Sequence, residues 1–112
     1  MTTFEDIQKT HVDEKDEKDR EDISDYIKRY LAKEGPWPSM QALATAANRY
    51  GISTSRQTIH NWVTRKTKPL YTHVEGYIHM LRITQKLERN QDKLSEIKQL
   101  LEFYEAIMGM IR

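Results

Sequence analysis

The sequence predicts an all-α fold, a small bundle built around two short helices joined at a sharp turn, with a C-terminal helical dimerisation region appended. Three observations predict it. Leu43, Ala46, Ala47 and Tyr50, then Ile59, Trp62 and Val63, form two apolar helical stripes separated by Gly51. Ile23, Ile27, Tyr30 and Leu31 repeat at the same spacing upstream. From Met80 to Ile111 apolar residues recur in alternating steps of three and four. These stretches divide the chain into a tail over residues 1–20, a helix-turn-helix unit over 21–79 and a helical region over 80–112.

The chain begins with an acidic, mixed-charge run poor in apolar groups, expected to be disordered because it buries too little surface to offset ordering entropy. Phe4, Ile7 and Val12 form at most one apolar edge there. The first helix is expected from Asp22, with Asp22 and Asp25 near its start and Lys28, Arg29 and Lys33 toward its end, the order the helix dipole favours. Gly35-Pro36-Trp37-Pro38 ends it, since neither proline continues the hydrogen-bond ladder. Trp37 is expected to plug the core between the first two helices.

The second helix has Ser39 as its expected N-cap, and Gly51 stops it, because glycine takes the left-handed conformation that other residues resist. Ile52 then tucks into the core. The third helix is expected to be capped by Ser53, Thr54 or Ser55. With Thr54 as cap, Gln57 takes the capping-box position and bonds back to the backbone. With Ser55 as cap, Gln57 lies in the first turn and offers both amide groups outward. Its inner stripe is Ile59, Trp62 and Val63, while Arg56, Gln57, His60, Asn61 and Arg65 project from other faces.

The run SRQTIHNW followed by KTKP resembles the recognition helix and following loop of Cro-type, lambda-repressor-like helix-turn-helix proteins. Ala47, Gly51, Ile52 and Ile59 stand at that family's small, turn and core positions. The likeness covers about thirty residues. Two departures stand out. A pair of extra residues separates Gly51 from Ile59, so the turn is longer or the recognition helix starts later. Val63 and Arg65 replace the family's glutamate and glycine after the tryptophan. The resemblance implies a DNA-reading helix over 55–65, with Ser55, Arg56, Gln57, Thr58, His60, Asn61 and Arg65 at or near the duplex. In that arrangement Gln57 pairs with an adenine edge, Arg56 or Arg65 meets a phosphate or guanine, and Lys66 and Lys68 anchor the backbone.

After Pro69 a helix is expected from about Thr72, with Val74, Ile78 and Leu81 closing the core. The stripe beyond it runs Met80, Ile83, Leu87, Asn90, Leu94, Ile97, Leu101, Tyr104, Met108 and Ile111, widened by Leu100 and Ile107. Either one continuous helix pairs with a second subunit, or the chain breaks at Arg89-Asn90-Gln91-Asp92 with Asp92 capping a last helix. Leu87, Leu94, Ile97, Leu101, Tyr104, Met108 and Ile111 are the expected dimer contacts, burial within one monomer being the competing arrangement.

A length of 112 residues suits one domain. The chain has no cysteine, hence no disulfide framework, thiol nucleophile or cysteine zinc site. No apolar run reaches the ~20 residues a bilayer span needs, and the N-terminus lacks a signal-peptide layout. The expected setting is cytoplasmic, on the nucleoid. His11, His60, His73 and His79 lack metal-ligand spacing, and no acid–base carboxylate pair is recognisable, so neither catalysis, metal nor cofactor is expected. Charge is segregated: residues 1–25 hold 4 Lys+Arg and 10 Asp+Glu, whereas residues 26–70 hold 8 Lys+Arg and the single acid Glu34. Positive charge concentrated on the helix-turn-helix suits a phosphate-facing surface, and the acidic tail beside it is expected to compete with DNA. The leading expectation is a dimeric transcriptional repressor reading an inverted repeat of double-stranded DNA. A plasmid or phage protein that oligomerises on an origin or partition site, and a protein–protein adaptor using the C-terminal helices, are the alternatives.

Overall fold

The computed structural model describes residues 4–31 and 37–112, with side chains from residue 14 onward. Five helices carry the chain: α1 (Phe4–Arg29), α2 (Met40–Arg49), α3 (Arg56–Val63), α4 (Tyr71–Leu87) and α5 (Gln91–Ile111). No strand occurs among the described residues, as the periodicity predicts. One apolar core joins all five helices, from Ile23 and Ile27 of α1 through Leu43, Ile59 and Val74 to Ile97, Phe103 and Ile107 of α5. The expected boundary at residues 79/80 therefore falls inside α4, with core residues Val74, Ile78 and Leu81 on both sides of it.

The expected disorder of residues 1–20 is corrected from Phe4 onward, where α1 begins. Composition does not reveal the ionic partners of this segment. Lys15–Asp19 and Asp16–Arg20 pair across one turn at 3.0 and 2.8 Å, and more distant partners lie in the loop after α3. The face of α1 that carries Ile23 and Ile27 into the core carries Asp19 and Asp16 one and two turns earlier. Residues 1–3, the side chains of Phe4, Ile7, His11 and Val12, and the Gly35-Pro36 stop lie outside the described residues. Trp37 is buried, its ring 6.2 Å from that of Tyr30.

The C-terminal region is two helices, and it folds back on its own chain. Glu88–Asn90 breaks the ladder, and the Asn90 side chain accepts hydrogen bonds from the backbone N–H groups of Asp92 and Lys93 at 3.0 and 3.1 Å. Asn90 is thus the N-cap, in place of the expected Asp92, which instead supplies negative charge in the first turn. α5 runs antiparallel along α4, with Tyr77 against Tyr104 (5.5 Å between ring centroids) and Arg82 Nη2 donating to Glu105 Oε1 at 2.7 Å. It also packs against α1, where Phe103 meets Tyr26 and Tyr30 at 5.8 and 5.3 Å.

This arrangement corrects the expected dimer seam. Ile97, Leu101, Tyr104 and Met108 are buried in the core of one chain, and Leu94 and Ile111 are half-buried. Heptad spacing specifies that a stripe is covered, not by what, and the three-residue break at 88–90 lets α4 and α1 cover it. Of the seven residues only Leu87 stays open, at 76% exposure. Met80 and Ile83 share its side of α4, opposite the inward-facing Val74, Ile78 and Leu81.

Candidate nucleic-acid interface

α2 and α3 are set by matching terminal devices. Ser39 Oγ accepts from Ala42 N at 3.1 Å to open α2. The helix closes when Gly51 N donates to Asn48 O and Ile52 N to Ala47 O, each at 3.2 Å, with Gly51 at φ +87°. This is the paired closure in which a left-handed residue satisfies the last carbonyls and the following apolar residue turns inward. Ile52 is accordingly buried. Thr54 N reaches Asn48 Oδ1 at 3.4 Å, and Ser55 caps α3, its Oγ accepting from Thr58 N at 3.1 Å. The longer turn thus spans residues 50–55, and Ser55, not Thr54, is the cap. Gln57 lies in the first turn, one residue short of the capping-box position, which Thr58 fills with its hydroxyl 3.0 Å from Ser55 Oγ.

With the cap fixed, the faces of α3 follow from its pitch. Ile59 and Trp62 point into the core, and Val63 is half-buried with its carbonyl accepting from Ser24 Oγ of α1 at 2.6 Å. Gln57 and Asn61, four residues apart, lie on the opposite side, joined by a 2.9 Å bond from Gln57 Nε2 to Asn61 Oδ1. That bond aligns the two amides and leaves Gln57 Oε1, its second N–H and the Asn61 NH₂ to a further partner. Arg56 is exposed and His60 half-buried beside them. No acidic residue occurs between Glu34 and Glu75, so α2, α3 and the loop after them present donors and cations without an own-helix carboxylate.

The loop leaving α3 repeats the closure of α2 with an arginine in the glycine position. Arg65 N donates to Trp62 O at 3.2 Å and Lys66 N to Asn61 O at 2.9 Å, and Arg65 holds φ +65°. A side chain there costs about 1–2 kcal/mol. Its ion pair with Asp25, at 3.8 Å between half-exposed groups, returns little. Replacing Arg65 by glycine is expected to raise the thermal midpoint by roughly 2–5 °C; a lower midpoint on calorimetry would count against backbone strain at this residue.

Lys68 departs from its expected role. Its Nζ donates to Asp19 Oδ2 at 3.0 Å and stands 3.0 Å from Asp16 Oδ1. Sequence spacing hid the match, since about fifty residues separate the partners. Arg20 of α1 completes the contact, its Nη1 donating to the carbonyls of Arg65 and Lys66 at 3.1 and 2.7 Å. Its Nε lies 2.8 Å from Asp16 Oδ2, a charge contact without hydrogen-bond geometry. The Lys68 hydrogen bond holds the Asp16 carboxyl below its ordinary 3.8. Burial raises that of Asp19, but the bonds from Lys68 and Lys15 outweigh it and the net shift is downward. Burial likewise lowers Lys68, and its two carboxylates more than reverse that. Because both aspartates titrate below 3.8 in the folded chain, the stabilisation they contribute is complete above that range and lost as pH falls through the lowered values.

No protein-family model, curated protein or solved structure matches this chain. The likeness to Cro-type proteins thus stands on its own thirty residues.

Of the nine residues expected at a duplex, Arg56, Gln57, His60 and Asn61 share the outer side of α3, with Arg65 and Lys66 exposed just beyond it. Ser55 and Thr58 serve the cap, and Lys68 is held by α1. Arg49 was not expected to matter, yet its Nη1 donates to both oxygens of Glu96 at 2.8 Å, and Tyr50 Oη donates to the same carboxylate at 2.8 Å. These bonds tie the end of α2 to α5. Burial and then the Glu96 hydrogen bond push the Tyr50 hydroxyl up to about 12. His73 and His79 are exposed on α4, and no group of three metal-ligating side chains occurs among the described residues. No described helix is long and apolar enough to cross a membrane.

Proposed function

We propose that the chain is a sequence-specific, double-stranded DNA-binding regulator that lays the outer side of α3 in the major groove. The observation that carries this reading is the aligned Gln57–Asn61 amide pair, uncovered on a helix whose other side is anchored by Ile59 and Trp62. An amide offering both donor and acceptor matches the N6 and N7 edge of adenine, and Arg56 beside it reaches a phosphate or guanine. Lys66 supplies charge to the backbone without a carboxylate partner among the described residues. The resemblance to Cro-type proteins supports the same orientation and the reading of the regulator as a repressor.

One recognition helix reads few base pairs, so the proposal includes a second copy on a two-fold site. With the C-terminal stripe used by the fold, the surface left for that copy is the outer side of α4, where Met80, Ile83 and Leu87 are exposed.

Selection of binding sites from random duplexes tests the reading. The native chain is expected to enrich a short inverted repeat, and Gln57→Ala to lose discrimination at one base pair per half-site, a loss of about 1–3 kcal/mol there. Enrichment of tandem repeats would favour the origin or partition reading. A chain without salt-sensitive affinity for any duplex would leave the adaptor reading.

A further inference from the structure

The proposed interface is partly occupied by the chain itself. We propose that the acidic stretch of α1 from Asp16 to Glu21 is an autoinhibitory clasp, standing where DNA phosphates would stand and yielding to them. The inference rests on the DNA-binding reading above and names how that site is regulated.

Four observations converge on the loop after α3. Lys68 is gripped by two carboxylates, Asp16 and Asp19, at 3.0 Å each, an arrangement of anionic oxygens round an ammonium like that of a phosphate. Arg20 fastens the same stretch of α1 to the carbonyls of Arg65 and Lys66. Asp25 lies 3.8 Å from the Arg65 guanidinium. Asp16, Glu17 and Glu21 stand with Arg20 and Arg65 round one open groove, which extends the negative surface beyond the direct contacts.

The clasp is built to be exchanged. Ile23 and Ile27 root α1 in the core, but N-terminal to them the one buried side chain among the described residues is Asp19. From Glu14 to Asp22 the helix is held by charge and hydrogen bonds, with no buried apolar side chain, so its opening is a local event that leaves the core intact. Polyanionic DNA offers Lys68 and Lys66 equivalent oxygens, and counterion release favours the exchange most at low salt. A structural ion pair would be served by one carboxylate; the second carboxylate on Lys68 and the run of acids beside it are what an internal competitor needs.

The test uses the full chain, a short random-sequence duplex and fluorescence anisotropy across a salt series. Asp16→Asn with Asp19→Asn is expected to bind about ten-fold more tightly at low salt and to steepen the salt dependence by about one counterion, for the released Lys68. Glu75→Gln with Glu102→Gln makes the same change in net charge at exposed sites on α4 and α5, away from the clasp, and is expected to gain much less. Adding Lys68→Ala to the first variant should remove its gain. If the native chain binds duplexes and the first variant binds no tighter, or the control gains as much, the clasp is overturned. If neither binds any duplex, the DNA-binding reading falls and takes the clasp with it. Hydrogen exchange on the native chain gives a readout independent of the variants' folding. Amides N-terminal to Asp22 should exchange faster when duplex is added, and unchanged or slower exchange would overturn the proposal.

Discussion

Phe103→Ala is expected to lower the unfolding free energy by about 3–5 kcal/mol, the usual loss for a large buried aromatic truncated to alanine. Its ring is fully buried and lies 5.8, 5.3 and 5.1 Å from those of Tyr26, Tyr30 and Tyr104. Neither α1 nor α5 can close the cavity without leaving the other neighbours it packs on. Against the ~5–15 kcal/mol of a typical domain this is a large fraction, and urea denaturation would read it as a lower midpoint with little change in slope. Leu87→Ala, at a site mostly in solvent, is expected within about 0.5 kcal/mol of the native chain at low concentration. The comparison tests whether α5 packs within one chain. Were α5 a seam between subunits, the cost of Phe103→Ala would vanish at concentrations where the chain is monomeric. A loss below about 1 kcal/mol for Phe103→Ala would mean that α5 is not part of the monomer core.

What could be read from the chain beforehand divides by the range of the interaction. Ser39, Gly51, Ile52 and the Ile59–Trp62 stripe were legible because a cap, a left-handed turn and a helical face are decided within a few residues of each other. Thr54 against Ser55 stayed open because both hydroxyls precede the helix, and only the observed Ser55-to-Thr58 bond separates them. The stripe beyond Met80 announced its period and concealed its partner. Whether Tyr104 meets a second subunit or Tyr77 of its own chain is a question of how the chain folds back at Asn90, which no periodicity encodes.

The expected disorder of residues 1–20 fails from Phe4 onward for a related reason. Low apolar content argues for disorder when charges face solvent alone, but Asp16 and Asp19 meet Lys68 across about fifty residues of sequence. The same distance concealed that one of the expected phosphate anchors is already engaged. The arginine at residue 65, where Cro-type proteins have glycine, stands at a left-handed backbone site.

Trp62→Ala is the second large effect, again about 3–5 kcal/mol of stability, and it gains meaning beside Gln57→Ala on the same eight-residue helix. Trp62 is nearly buried and, with Ile59, is the means by which α3 is fixed to the core; truncation leaves a cavity beneath the helix and frees its orientation. Loss of duplex affinity in that variant would follow from loss of the fold. Gln57 is exposed and bonded only to Asn61, so its truncation should cost no more than about 0.5 kcal/mol of stability while changing which sequences bind. An inward change that melts the protein and an outward change that alters discrimination without melting it are what a reading helix requires. If Gln57→Ala instead lowers the denaturation midpoint as Trp62→Ala does, the outer side of α3 is a packing surface whose cover remains to be found, and the assignment of that side to base edges fails.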